Sequence, residues 1–270
     1  MQSSPIRKLA HIASSAKAKG IKIYHLNIGQ PDIKTPKVFF EAVKNFNNEV
    51  LEYAVSPGLP ELISSLQQYY TTYNMDFESD EILVTNGGSE ALLFALMATC
   101  DPKDNILVPE PFYSNYNGFS QSINVNITPI TTKAEEGFHL PSKEKIQSLI
   151  TSKTKAILIS NPGNPTGTVY TKKELYMISE IAKENDLWII SDEVYREFVY
   201  DGLEYTSFGN IKEVEDRVII IDSVSKIYSA CGARIGSIAS KDKTLIAEIL
   251  KLCQGRLCVS TLDQVGSVEL

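Results

Sequence analysis

Short β-branched and aliphatic runs alternate along this chain with stretches of helical periodicity, and that alternation limits the fold more than any other feature. Candidate strands are Ile82–Thr85, Asn105–Val108, Val125–Ile130, Ala156–Ser160, Trp188–Asp192, Val218–Asp222 and Ile235–Ala239. Several are apolar without a break, as in Ala156-Ile157-Leu158-Ile159. Unbroken apolarity belongs to strands buried on both faces, as in a parallel sheet covered by helices. Between them, Val38, Phe39, Ala42, Val43 and Phe46 recur at helical spacing, as do Leu62, Ile63, Leu66, Tyr69 and Tyr70. Ala91 to Leu96 and Leu175 to Ala182 repeat the pattern. Thr35-Pro36 reads as an N-cap followed by proline at the first helical position. The expected fold is α/β, a three-layer α/β/α arrangement around a mostly parallel seven-stranded sheet. Residues 1–35 read as an arm and a short extended piece, and 36–270 as one large domain.

Length and composition narrow the function classes. The chain has 270 residues and is 43% hydrophobic, enough for one large domain with a real core. Its formal net charge is -7 and no basic block stands out, so a nucleic-acid partner gains no support. No apolar run reaches the ~20 residues of a membrane span, and the first twenty residues lack the apolar core of a signal peptide. Cys100, Cys231, Cys253 and Cys258 form no CxxC pair and match no common zinc spacing. They are expected as free thiols in a reducing cytoplasm. His11, His25 and His139 are scattered and read as structural, so no metal is expected.

Ligands of such sheets gather at the carboxyl ends of the strands. Four blocks sit there. Thr85-Asn86-Gly87-Gly88-Ser89-Glu90 opens a helix, whose free N–H groups and dipole suit an anion. A plain glycine turn with Ser89 as N-cap fits the same residues. Asn161-Pro162-Gly163-Asn164-Pro165-Thr166-Gly167 makes a rigid turn able to aim an amide, or an ordinary turn. Asp192-Glu193-Val194-Tyr195 brings a carboxylate and a phenol to one place, or a capping aspartate and a buried tyrosine. Ser223-Val224-Ser225-Lys226 places a lysine just after an apolar strand, where loss of water makes an amine nucleophilic. Arg234 follows eight residues later and can fork onto an oxyanion. A solvated lysine and a surface arginine remain open for that pair.

Together the four blocks resemble the signature of the class I/II aminotransferases, pyridoxal-phosphate (PLP) enzymes of fold type I. Asn27-Ile28-Gly29-Gln30-Pro31-Asp32, Tyr53…Gly58-Leu59-Pro60-Glu61-Leu62 and Pro111-Phe112-Tyr113-Ser114-Asn115-Tyr116 carry the likeness further, and the style of the segments is nearest the aspartate aminotransferase-like group. The resemblance implies that Lys226 attaches pyridoxal 5'-phosphate as an imine and moves the substrate Cα proton. Asp192 is implied to pair with the pyridine nitrogen, and Tyr195 and Asn164 to bond the ring hydroxyl oxygen. Tyr113 is implied to stack on the ring. Gly88, Ser89, Ser223 and Arg234 are implied to hold the phosphate, with Tyr53 reaching a neighbouring subunit's phosphate. Gly29 is implied to lie near the substrate carboxylate.

The implied activity is amino transfer between an L-amino acid, aspartate-like by segment style, and a 2-oxo acid. The implied enzyme is a cytoplasmic homodimer with shared sites, taking part in amino acid metabolism. The resemblance extends through most of the chain, but family members continue past the position of Leu270 with most of a smaller domain. That domain carries the arginine for the substrate carboxylate. The chain is accordingly expected to be C-terminally incomplete, with the small domain largely missing, and to transaminate poorly. Arg256 reads as a helix-surface residue, not a substitute for that arginine. A carbon–sulfur lyase of the same fold and a non-catalytic PLP-binding fragment share the same residues and stay as alternatives.

Overall fold

The computed structural model of the chain describes residues 9–27 and 29–270. Residues 1–8, part of the expected arm, and Ile28, part of the Asn27–Asp32 block, lie outside the described residues. Seven strands form one sheet: β1 (Ile82–Asn86), β2 (Asn105–Glu110), β3 (Asn126–Thr131), β4 (Thr154–Ser160), β5 (Trp188–Asp192), β6 (Val218–Ser223) and β7 (Ile235–Ala239). Among the described residues, ten α-helices surround or precede it. They are α1 (Ala10–Ala18), α2 (Lys37–Lys44), α3 (Pro60–Thr72), α4 (Gly87–Thr99), α5 (Asn115–Ser122), α6 (Lys143–Gln147), α7 (Lys172–Glu184), α8 (Val224–Ile227), α9 (Lys243–Arg256) and α10 (Thr261–Val268).

The spatial order is β1-β7-β6-β5-β4-β2-β3. Pairs from β3 to β6 are parallel, and β7 alone runs antiparallel to both neighbours. Alternate residues of each central strand feed two separate cores. Ile157, Ile159, Ile189 and Ile220 pack on one face with Leu62, Tyr70, Leu175, Ile178 and Ile181 of α3 and α7. Leu158, Ile190, Ile219 and Ile221 pack on the other with Leu92, Leu96, Ile246 and Ile249 of α4 and α9. That is the three-layer fold expected from unbroken apolar strands. Each fully buried aliphatic side chain contributes roughly 1.5–3 kcal/mol. Truncating Ile189 or Ile190 to alanine should cost about 2–5 kcal/mol.

The start of α2 departs from the expectation. Its N-cap position is Pro36 and its first residue Lys37. Thr35 lies one residue before that cap position and caps nothing; its hydroxyl donates to the Ser229 carbonyl at 2.6 Å.

Strand direction places the candidate residues. β1, β4, β5 and β6 all end at one edge of the sheet. β7, being antiparallel, begins there: Asn86 pairs with Ile235 and Ser223 with Gly236. Arg234, one residue before β7, is therefore delivered to the same edge.

Candidate active site

At that edge Asp192 closes β5. It is 7% exposed. Its carboxylate accepts the Tyr116 hydroxyl at 2.6 Å and, weakly, the Val194 N–H at 3.4 Å. No cationic side chain among the described residues pairs with it. Burial raises its pKa above the ordinary carboxylate range, with the bonds from Tyr116 and Val194 pulling it part of the way back and Glu193 raising it. A buried carboxylate with two donors and no cation suits a ligand that brings its own cationic N–H.

Tyr195 follows Asp192 by three residues. Burial, then the charge of Asp192, pushes its phenol up to about 12, so it stays protonated as a donor at neutral pH. Its hydroxyl lies 3.8 Å from where a Cβ on Gly29 would sit. The Gly29 carbonyl in turn accepts the Lys226 ammonium at 2.5 Å. Lys226, Gly29 and Tyr195 thus meet, although Gly29 and Lys226 are 197 residues apart in sequence. Lys226 rides on α8, a single turn capped by Ser223, whose hydroxyl accepts the Ser225 N–H at 3.2 Å and donates to the Ile235 carbonyl at 2.9 Å.

Gly88 and Ser89 occupy the first turn of α4, whose Asn86 cap offers no side-chain bond to the helix. Gly87 has φ +73° and a Cβ there would collide with the Arg234 guanidinium. The glycine is needed for both reasons. Gly88 faces Val194, Ile221 and Ser223. Gly236 lets β7 slide beneath this turn, since a Cβ on it would stand 2.5 Å from the Gly87 carbonyl carbon and 2.6 Å from the Gly88 nitrogen. The Arg234 guanidinium donates to the Cys231 carbonyl at 3.0 Å and is otherwise exposed over the helix start. Two opposite demands therefore sit at one edge: cation at Asp192, anion at the α4 start.

Asn164 and Tyr116 line one cleft together with Phe112, Ser160 and Gly163. The Tyr113 ring meets the Tyr116 ring edge-on at 5.5 Å, and its hydroxyl accepts from Asn115 at 2.7 Å. Tyr53 stands apart, 80% exposed; no hydrogen bond joins it to the other site residues among those described.

Sequence reasoning assigned no role to Tyr116, the buried phenol that holds Asp192, although it ends the Pro111–Tyr116 block. It also missed Glu193, Arg196 and Asp222. One signal for them existed: in a strand of period two, Asp192 and Glu193 face opposite ways, so Glu193 must enter the core and find a cation there. Arg256 is corrected as well. It is largely buried, donates to the Val84 carbonyl at 3.2 Å and sits 3.4 Å from Glu90. His139 lies 3.0 Å from Glu174 and meets the Tyr170 ring edge-on.

The chain matches the aminotransferase class I and II family over residues 21–269. It belongs to the class I and II aminotransferases. It is 35% identical over 273 residues to a probable aspartate aminotransferase of Methanocaldococcus jannaschii, covering 98% of this chain and 69% of that protein. It is 33% identical to the aspartate aminotransferase of Thermotoga maritima, covering 98% of this chain and 71% of that one. Among solved structures it resembles the alanine aminotransferase of Pyrococcus furiosus, with TM-score 0.90, 34% identity, and 98% of this chain and 70% of that chain covered. The aspartate aminotransferase of Thermus thermophilus with maleate gives TM-score 0.92 at 28% identity, covering 100% and 70%. As an aminotransferase it is an enzyme that moves an amino group between an amino acid and a 2-oxo acid. No helix among the described residues is long and apolar enough to cross a membrane.

Proposed function

We propose that this aminotransferase works with pyridoxal 5'-phosphate, prefers an aspartate-like L-amino acid, and acts in the cytoplasm as a homodimer with shared sites. The observation that carries the cofactor reading is Asp192, a buried carboxylate with which no cationic side chain among the described residues pairs, at the same sheet edge as an anion-ready helix start. PLP, when bound, supplies an aldehyde that condenses with amines and a protonated ring that takes up the electron pair left on the substrate Cα.

The chain's residues supply the rest. Lys226 would give the attaching amine and, once released, would carry the proton from the substrate Cα to the cofactor C4′, the transfer that leaves the amino group behind. Its bond to the Gly29 carbonyl holds the amine toward Tyr195. Asp192 keeps the ring nitrogen protonated by a charge-assisted bond, and Tyr116 keeps Asp192 ionised and aimed. Tyr195 and Asn164 bond the ring hydroxyl oxygen, and Tyr113 offers an aromatic face. Gly88, Ser89 and Arg234 hold the phosphate, joined by Ser223 when its hydroxyl leaves the Ile235 carbonyl. Gly29 borders the substrate carboxylate. Tyr53, too exposed to serve its own chain's site, reaches the phosphate of a second copy. In this reading residues 1–35 are the arm and start of a smaller domain, and 36–270 the cofactor-binding domain.

The test is amino transfer to 2-oxoglutarate after loading with PLP, across aspartate, alanine, aromatic and branched amino acids. Aspartate should give the fastest transfer. Faster transfer from another class would overturn the substrate preference. Release of pyruvate and ammonia from cystathionine, with no transfer, would favour the carbon–sulfur lyase. Neither reaction, with PLP bound, would favour the non-catalytic fragment.

A further inference from the structure

Behind the candidate site, on the other side of the β5 and β6 ends, lies a buried ionic cluster that the assigned roles leave unused. Glu193, Arg196 and Asp222 are 0%, 2% and 7% exposed. The Arg196 guanidinium donates through Nε and Nη2 to Glu193 Oε2 at 3.2 and 2.8 Å, and through Nη1 to Asp222 Oδ2 at 2.7 Å. Glu193 also accepts Ser191 at 2.8 Å, Tyr205 at 2.5 Å and Ser207 at 2.7 Å. The rings of Tyr69, Tyr70 and Tyr73 surround the guanidinium at 5.4, 5.4 and 5.0 Å. Burying three charges is expensive unless the geometry is close and the remaining polar atoms are satisfied, as they are here.

The cluster's two ends lead to the two key side chains. Glu193 adjoins Asp192 in sequence, and its own N–H donates to the Ile221 carbonyl at 2.9 Å, fixing the β5 end against β6. Asp222 Oδ1 accepts the Ser223 N–H at 2.7 Å, and Ser223 caps the one turn that carries Lys226. A helix of four residues has little stability of its own, so its position depends on what anchors its cap. We propose that Arg196 is a positioning residue: its buried fork ties the strand end bearing Asp192 to the strand end bearing Asp222 and Ser223, and so fixes where Lys226 stands. Lysine cannot replace it, because one point charge does not span two carboxylates in the fork geometry. The inference deepens the proposed function and rests on its reading of Lys226 and Asp192.

The experiment compares wild type, Asp222→Asn and Arg196→Lys. Ile249→Val, a core change on the opposite face, serves as a control for general destabilisation. First, Lys226 in the chain without cofactor is labelled competitively with an acetylating reagent, against exposed Lys251 as reference, and read by mass spectrometry. Loosening the turn should break the Lys226–Gly29 bond and speed Lys226 labelling about threefold or more in both clamp variants, as local opening does, and not in Ile249→Val. Second, PLP is added and the visible band of the lysine-bound cofactor is titrated with pH; its midpoint should move in the clamp variants and not in the control. If Asp222→Asn does not fold, Arg196→Lys, which keeps the charge, carries the test. Unchanged Lys226 labelling and an unchanged band, with only a lower melting temperature, would overturn the positioning role while leaving the functional reading intact. If wild type takes no PLP while labelling responds as stated, the positioning role stands and the functional reading falls.

Discussion

The sheet edge and the leading segment make opposite use of apolar residues. At the edge, Asp192, Tyr116, Ser223 and the Glu193–Arg196–Asp222 cluster are buried and bonded, and the strands beneath are closed on both faces. In the leading segment, twelve of the sixteen large apolar side chains left exposed among the described residues lie between Leu9 and Val55. That excess is too concentrated for ordinary surface scatter and marks a face that gains by being covered. Yet this segment delivers the Gly29 carbonyl to Lys226. Most of the site is thus fixed by the sheet, while Gly29 and Tyr53 are carried by a segment whose exposed apolar side chains would gain by being covered. A second copy of the chain is the cover the proposed shared site calls for.

The sharpest way to break this division is at the edge. Lys226→Ala should lower amino transfer by on the order of 10⁴-fold, since both the attaching amine and the proton carrier go; steady-state turnover with excess PLP checks it. Asp192→Asn keeps the shape and removes the charge. It should slow proton abstraction at Cα by roughly 10³-fold, the scale of losing one aimed electrostatic contact, as measured by single-turnover loss of deuterium from labelled substrate. An unchanged rate would remove Asp192 from the mechanism.

A gentler probe is Tyr116→Phe, which deletes one bond to a buried carboxylate. A bond to a charged group is worth about 1.5–3 kcal/mol, so PLP retention should weaken roughly tenfold or more by equilibrium dialysis. Asp192 should bind its proton still more tightly, because the Tyr116 bond works to lower its pKa.

Asp222 gives a pH test of the cluster behind the edge. Burial, only partly countered by Arg196, raises its pKa from the ordinary value of 3.8 to about 6. The fold then holds more protons than the open chain between about pH 4 and 6, and this group's contribution to stability falls as pH rises through that window. Asp222→Asn does not titrate. Its stability relative to wild type should therefore improve by roughly 2–3 kcal/mol between about pH 4 and 7, read by denaturant unfolding at each pH. A gap that does not move would show that folding leaves the pKa of Asp222 at its open-chain value.

The smallest effect is expected in the leading segment. Tyr53→Phe should weaken PLP retention only severalfold, on the order of one exposed hydrogen bond, and mixing it with Lys226→Ala should give hybrid dimers with one intact site and one altered site that carries both changes. A monomer by sedimentation that retains PLP fully would break the comparison itself.

Much of the edge was legible because its signals are local. Unbroken apolar runs gave the strands, and a lysine, an aspartate and an arginine just beyond strand ends stood out against them. What was not legible depends on pairing across the chain. Thr35 looks like a cap, yet it lies one residue before the cap position and gives its hydroxyl to the Ser229 carbonyl. Arg256 looks like surface until Val84 and Glu90 enclose it. Arg196 looks like one more charged residue in Val194-Tyr195-Arg196-Glu197, since only the β5–β6 register brings Asp222 to it. Tyr116 hides in an aromatic-rich stretch, because nothing local tells which tyrosine turns inward to Asp192.

The central claim is that Lys226 is the lysine that carries the cofactor, and one measurement tests it most directly. The protein is loaded with PLP, treated with borohydride to fix the lysine–cofactor bond, digested with trypsin and mapped by mass spectrometry. The account predicts the pyridoxyl group on Lys226, in near one-to-one yield, with loss of the visible band. A pyridoxyl group on Lys241, Lys243 or any other lysine, with Lys226 unmodified, would contradict it.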